Sequence, residues 1–236
     1  MLRPSTASPQ EQRRLGWLLA AGGMLLVSTD SLFIRLSEAD PWDLAFLVAA
    51  FALPANLALA RIFERPPSKG SLGRPMMLIA GLSAVSKLAF FTAVTKTAVA
   101  NVVVIVAAAP LLAAIASRVL LGERTNSRVW LAIAASIGGI ALIVSGSLGE
   151  PKLVGDLLAL LATAAFAINM SLWRVHGQLS RFLTLALSSA VMLFVSAFFA
   201  APFGLPLRVY VAAAAMGLAF NTLGSVAQGF APKYAP

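Results

Sequence analysis

The chain has 236 residues, of which 59% are hydrophobic and only 11% are charged, and its formal net charge is +9. A soluble domain contains roughly 25% charged residues, so this composition excludes a soluble enzyme. The absence of cysteine excludes a disulfide-stabilised secreted domain. A high positive charge is typical of nucleic-acid binding, but membrane proteins also accumulate Lys and Arg in their cytoplasmic loops, and we expect no nucleic-acid partner.

Eight apolar stretches are each long enough, or nearly so, to cross a bilayer, which takes about 20 helical residues. None shows the two-residue alternation that is typical of a membrane β-strand. We therefore predict an all-α polytopic membrane protein. The predicted spans are, in chain order, 16–35, 43–60, 76–95, 98–117, 129–148, 155–173, 182–201 and 209–230.

The basic residues predict the orientation of these spans. With the N-terminus inside, thirteen of the 18 basic residues fall on the cytoplasmic side and four on the other side. Such an excess follows the positive-inside rule. We therefore expect a multi-pass protein of the inner membrane, embedded in the lipid bilayer, whose residues 1–15 form a cytoplasmic tail.

The first and sixth predicted spans resemble each other at an offset of 139 residues. Gly16 aligns with Gly155, and Asp30 aligns with Asn169. Because five spans separate the first span from the sixth, the two cross the membrane in opposite directions. Repeats of opposite orientation are common in secondary transporters. The alternative is that two Ala- and Leu-rich helices share a few letters through composition alone.

Asp30 and Lys87 are the two charged residues that fall well inside predicted spans. A charge at the bilayer centre costs about 2.5–3.5 kcal/mol on insertion scales, so each residue is a candidate for function. At 1.5 Å per residue, Asp30 lies about 21 Å and Lys87 about 16 Å from the cytoplasmic end of its span. The two are therefore predicted to pair in an internal cavity, Asp30 as proton carrier or amine ligand and Lys87 as carboxylate ligand. The alternatives are a structural ion pair, or an Asp30 that reaches outer water.

Amide side chains and one proline complete the candidates. Amides in spans most often link helices, at about 0.6 kcal/mol each, but Asn169 aligns with Asp30. A mid-span proline bends its helix, and bent helices often line transporter cavities, although a packing kink is an equally good explanation. No motif for ATP, metal or nucleophilic catalysis occurs, so we expect no cofactor and no enzymatic activity. The candidates for substrate binding or coupling are Asp30, Lys87, Asn101, Pro110, Asn169 and Asn221.

Residues 91–144 contain several linked motifs. They are small residues at a helix start (Ala98, Ala100), a mid-helix proline (Pro110), the letters LGE at 121–123 and a Gly-Gly pair at 138–139. With the stretch GDLLALLA at 155–162, the chain resembles the EamA-type permeases of the drug/metabolite transporter superfamily. The resemblance implies two inverted five-helix repeats. It also implies alternating-access transport of a small metabolite, an amino-acid-like compound or a drug, driven by a proton gradient or by metabolite exchange.

The resemblance divides the chain into a complete first repeat over 16–148 and an incomplete second repeat over 153–236. About eight of ten expected helices are then present, and the last two are missing. Family members often carry an arginine in the second span, and residues 46–54 contain none. The expected partners are a small-molecule substrate and either a second copy of the chain or a protein that supplies the missing helices. The alternative function is a non-transporting membrane subunit or truncated paralogue that acts in a helical assembly.

Overall fold

The computed structural model describes residues 29–64, 73–122, 127–146 and 152–223, without the side chains of residues 120, 121, 127, 143, 144, 220, 221 and 223. The described residues form ten helices and no strands. The helices are α1 (Asp30–Ser37), α2 (Pro41–Phe63), α3 (Arg74–Lys96), α4 (Val99–Ala107), α5 (Ala109–Leu121), α6 (Ser127–Ser145), α7 (Lys152–Val175), α8 (Arg181–Ser196), α9 (Leu207–Ala214) and the π-helix α10 (Ala215–Leu223).

This architecture confirms the prediction of an all-α polytopic membrane protein. Helices α2, α3 and α7, together with the α4–α5 stretch Val99–Val119, are long and apolar enough to cross a membrane. Helices α6 and α8 and the stretch from α9 into α10 contain shorter apolar segments. Most of the first predicted span lies outside the described residues, and α1 covers only its end.

Local sequence explains where several helices begin and end. The Asp40 side chain caps α2 by accepting a hydrogen bond of 2.8 Å from the Trp42 N–H, and Pro41 occupies the first helical position, where no intrahelical N–H is needed. Pro110 divides the fourth predicted span, so that α4 ends at Ala107 and α5 starts at Ala109. The expected bend at this proline is therefore a break, because proline has no N–H to continue the α4 ladder.

Two antiparallel helix pairs form the centre of the bundle. The most extensive packing is between α3 and α7, followed by α2 with α8, and α3 also packs against α8. Helices α4 and α5 lie on α7, while α9 and α10 lie on α2. Close approach depends on small residues: a Cβ on Gly217 would lie 2.8 Å from the Val48 carbonyl oxygen.

The pair α2–α8 is fastened at both ends. At one end, the Asp43 carboxylate accepts a hydrogen bond of 2.6 Å from the Ala201 N–H. At the other end, the Glu64 carboxylate accepts hydrogen bonds from the Phe182 N–H (2.9 Å), the Leu183 N–H (3.4 Å) and the Ser180 hydroxyl. An aromatic contact accompanies each fastening, Trp42 with Phe199 and Phe63 with Phe182.

These contacts define two ends of the bundle. We call one the Thr97 end, where α1 and α3 finish and where α2, α4, α7 and α9 begin. We call the other the Glu64 end, where α2, α5 and α7 finish and where α3, α6 and α8 begin. An exposed ion pair between Arg208 and Glu38, with an N–O distance of 2.7 Å, also lies at the Thr97 end.

Candidate functional site

Asp30 and Lys87 lie at similar depths in the bundle. Asp30 is seven residues from the end of α1 at Ser37, and Lys87 is nine residues from the end of α3 at Lys96. At 1.5 Å per residue these offsets are about 11 and 14 Å from the Thr97 end. Helices α1 and α3 pack together, and the carboxyl and ammonium groups are close enough to attract each other electrostatically.

The hydrogen bonding of this carboxyl group is incomplete among the described residues. Asp30 Oδ1 is buried and has no hydrogen-bond partner within the described part of the chain. A buried polar atom left without a partner costs about 1–3 kcal/mol. The arrangement therefore suits a proton or a cationic group that would complete the hydrogen bonding of Asp30, with Lys87 nearby to receive an anionic group.

Asn169 lies on α7, and its side chain is hydrogen-bonded to α3. Its Nδ2 donates hydrogen bonds to the Ile79 carbonyl (2.7 Å) and to the Ser83 hydroxyl (2.9 Å). Ser83 is one turn before Lys87, on the same side of α3. A further bond of 2.8 Å joins the Ser86 hydroxyl to the Ala162 carbonyl. These bonds link α3 to α7, so a structural role accounts for the amide nitrogen of Asn169.

Asn101, a candidate from the sequence, belongs to a cluster of polar residues that the sequence did not predict. Asp156, on the first turn of α7, is 0% exposed and accepts hydrogen bonds from Thr97 Oγ1 (2.7 Å) and Asn101 Nδ2 (3.3 Å). The Arg35 guanidinium donates to the Thr97 carbonyl. We call these four residues the Thr97 cluster. The signal for this cluster in the sequence is the GDLLALLA motif at 155–162, whose acidic residue stands at the start of a predicted span.

Pro110 and Asn221 are the remaining two candidates. Pro110 is exposed, so its local effect is the break between α4 and α5. Asn221 has its backbone in α10, but its side chain lies outside the described residues. Within the described ranges no group of three or more His, Asp or Glu residues is arranged to hold a metal ion.

The two ends of the bundle differ in charge. Within the described ranges, the Glu64 end has one acidic residue, Glu64, and six basic residues, while the Thr97 end has four of each. Two arginines of the Glu64 end stack on tryptophan rings, Arg118 at 5.3 Å from the Trp130 centroid and Arg181 at 5.7 Å from the Trp173 centroid. The six basic residues are Arg61, Arg74, Arg118, Arg128, Arg174 and Arg181.

Comparison with known proteins identifies a family. A sequence model of the EamA-like transporter family matches residues 14–145. This range includes the candidates Asp30, Lys87, Asn101 and Pro110. No curated protein and no solved structure matches the chain.

Proposed function

Because the chain belongs to the EamA-like transporter family, we propose that it is a secondary transporter acting by alternating access. Its substrate is a small metabolite, an amino-acid-like compound or a drug, and its membrane is the inner membrane. The observation that carries the proposal is that two residues of opposite charge, Asp30 and Lys87, lie at similar depths on the packed apolar helices α1 and α3.

The pair is suited to binding a polar solute in a nonpolar environment. Charged side chains at this depth are expensive, and in transporters they mark substrate or proton pathways. In the unliganded protein each charge partly compensates the other. A solute that carries an amino or a carboxylate group replaces one of these partners, and a proton on Asp30 removes the attraction altogether. Either event changes the interaction between α1 and α3 and so couples binding to helix movement.

The charge asymmetry supports an orientation with the Glu64 end in the cytoplasm. Six of the ten basic residues that the structure describes at the two ends lie there, and cytoplasmic ends of spans are enriched in Lys and Arg. In this orientation the Thr97 end faces outward and the N-terminus of the chain is cytoplasmic.

The packing pattern supports an inverted repeat. A two-fold axis in the membrane plane would exchange the second span with the seventh and the third with the eighth. The second and seventh spans are α2 and α8, and the third and eighth are α3 and α9–α10. The axis would therefore map the contact between α3 and α8 onto the contact of α9 and α10 with α2. Both contacts occur. It would also place α2 and α8 antiparallel to each other, as their end-to-end hydrogen bonds require.

Transport by the full chain in proteoliposomes tests the proposal. Uptake of labelled amino acids, other small metabolites and cationic drugs is compared with and without a pH gradient and with unlabelled solute inside. We expect flux of at least one class that falls at least tenfold in Asp30→Asn and Lys87→Met but not in the matched control Glu38→Gln, which changes an exposed charge.

Two results would overturn it. If no compound crosses although the protein is folded and inserted, the alternative of a non-transporting membrane subunit is favoured. If flux occurs but is the same in Asp30→Asn, Lys87→Met and Glu38→Gln, transport does not use the charge pair.

A further inference from the structure

At the Thr97 end, α7 lies directly against the turn that joins α3 to α4. A Cβ on Gly155 would be 2.7 Å from both the Cβ and the backbone nitrogen of Thr97, and 2.8 Å from the carbonyl carbon of Lys96. Such distances are shorter than van der Waals contact, so a side chain larger than that of glycine has no room there. The backbones of the two segments therefore touch at this point.

Hydrogen bonds to Asp156 hold the same contact. Its buried carboxyl group accepts from Thr97 on the turn and from Asn101 on α4, and a buried carboxyl group is tolerated only when it is hydrogen-bonded. Arg35 brings α1 to the same turn through the Thr97 carbonyl. The Thr97 cluster thus joins the first span, the third and fourth spans, and the sixth span.

We propose that Gly155 and Asp156 close the transport path at the Thr97 end, with Asp156 as the positioning residue that holds Thr97 and Asn101 against α7. This proposal rests on the proposed transport function and orientation. The Asp30–Lys87 level lies about 11–14 Å further inside, by the helical rise. A solute entering between α3 and α7 from outside must therefore pass this contact, and opening requires its hydrogen bonds to break.

The absence of cysteine in the sequence allows a direct test. Ala159, one turn after Gly155, is 0% exposed, so Ala159→Cys is a single probe behind the closure. Its rate of labelling by a membrane-impermeant thiol reagent, added outside intact cells, reports opening at this end. We expect about tenfold faster labelling when Asp156→Ala or Thr97→Val is added, because leaving one partner of a buried hydrogen bond unsatisfied costs about that factor.

Two further variants separate closure from general loosening. Asp156→Asn keeps an oxygen acceptor for Thr97 and is expected to restore slow labelling. Ser117→Ala removes a buried hydrogen bond to Ser171 between α5 and α7 near the opposite end and is expected to leave the rate unchanged.

Unchanged labelling in both Asp156→Ala and Thr97→Val would overturn the proposal, as would an equal increase in Ser117→Ala. If Asp156→Ala does not reach the membrane, the nearly isosteric Thr97→Val decides alone. Labelling requires no substrate, so a chain that transports none of the compounds tested can still pass or fail this test.

Discussion

Replacing Glu64 by alanine should destabilise the protein far more than replacing a surface acid. Glu64 accepts hydrogen bonds from the Ser180 hydroxyl and from the N–H groups of Phe182 and Leu183 in the first turn of α8. The Leu183 bond is long at 3.4 Å and adds little. Charge-assisted hydrogen bonds contribute about 1.5–3 kcal/mol each, but Glu64 is only partly buried. After a discount for solvent, we expect a loss of about 2 kcal/mol, within the range of an N-cap deletion.

Thermal unfolding of the full chain in detergent micelles measures this loss. For a chain of this size, about 2 kcal/mol corresponds to a Tm lower by about 4–8 °C. Glu64→Gln keeps an oxygen acceptor and should recover at least half of the difference. The control is Glu38→Ala, whose ion pair with Arg208 has side chains 67% and 55% exposed and should contribute about 0–1 kcal/mol. Equal Tm values for Glu64→Ala and Glu38→Ala would refute this account of the α2–α8 pair.

Three further changes test the candidate site. In a pH-dependent flux assay, Asp30→Asn should abolish the proton-dependent component while leaving insertion intact; the same flux across pH would remove Asp30 from coupling. Lys87→Met should impair transport more than folding, and partial rescue by adding Asp30→Asn would indicate that the two act as a pair. Asn169→Leu should lower thermal stability by about 1 kcal/mol through loss of interhelical bonds while substrate affinity stays within twofold. A large loss of affinity without a loss of stability would instead make Asn169 a substrate ligand.

The sequence predicted the fold well because apolar length is a local property. Span lengths in the described part follow from runs of apolar residues, and helices are the form in which a chain satisfies its backbone within lipid. Depth along a span is also local, and the similar depths of Asp30 and Lys87 could be anticipated from a constant rise per residue. The direction in which a side chain points around its helix, and the helix that it contacts, depend on segments far away in the sequence.

Contacts between distant segments explain what the sequence did not predict. Glu64 meets Ser180, a residue 116 positions away, and no local pattern links the two. Asp156 lies at the edge of an apolar run, where an acidic residue is usually solvated. Its burial depends on Gly155, which lets the α3–α4 turn come near enough to cover it. Only the assembled bundle distinguishes this carboxyl group from a loop residue.

The fastening of α2 to α8 has a consequence for biosynthesis. A ribosome adds about 5–20 residues per second, so Ser180 is made roughly 6–23 s after Glu64. During that interval α2 is already synthesised, but the carboxylates of Asp43 and Glu64, one near each of its ends, still lack their hydrogen-bond donors, which are the N–H of Ala201 after α8 and the N–H of Phe182 in α8. We expect the nascent second span to need water, lipid headgroups or the insertion machinery at both of its ends until the seventh span arrives.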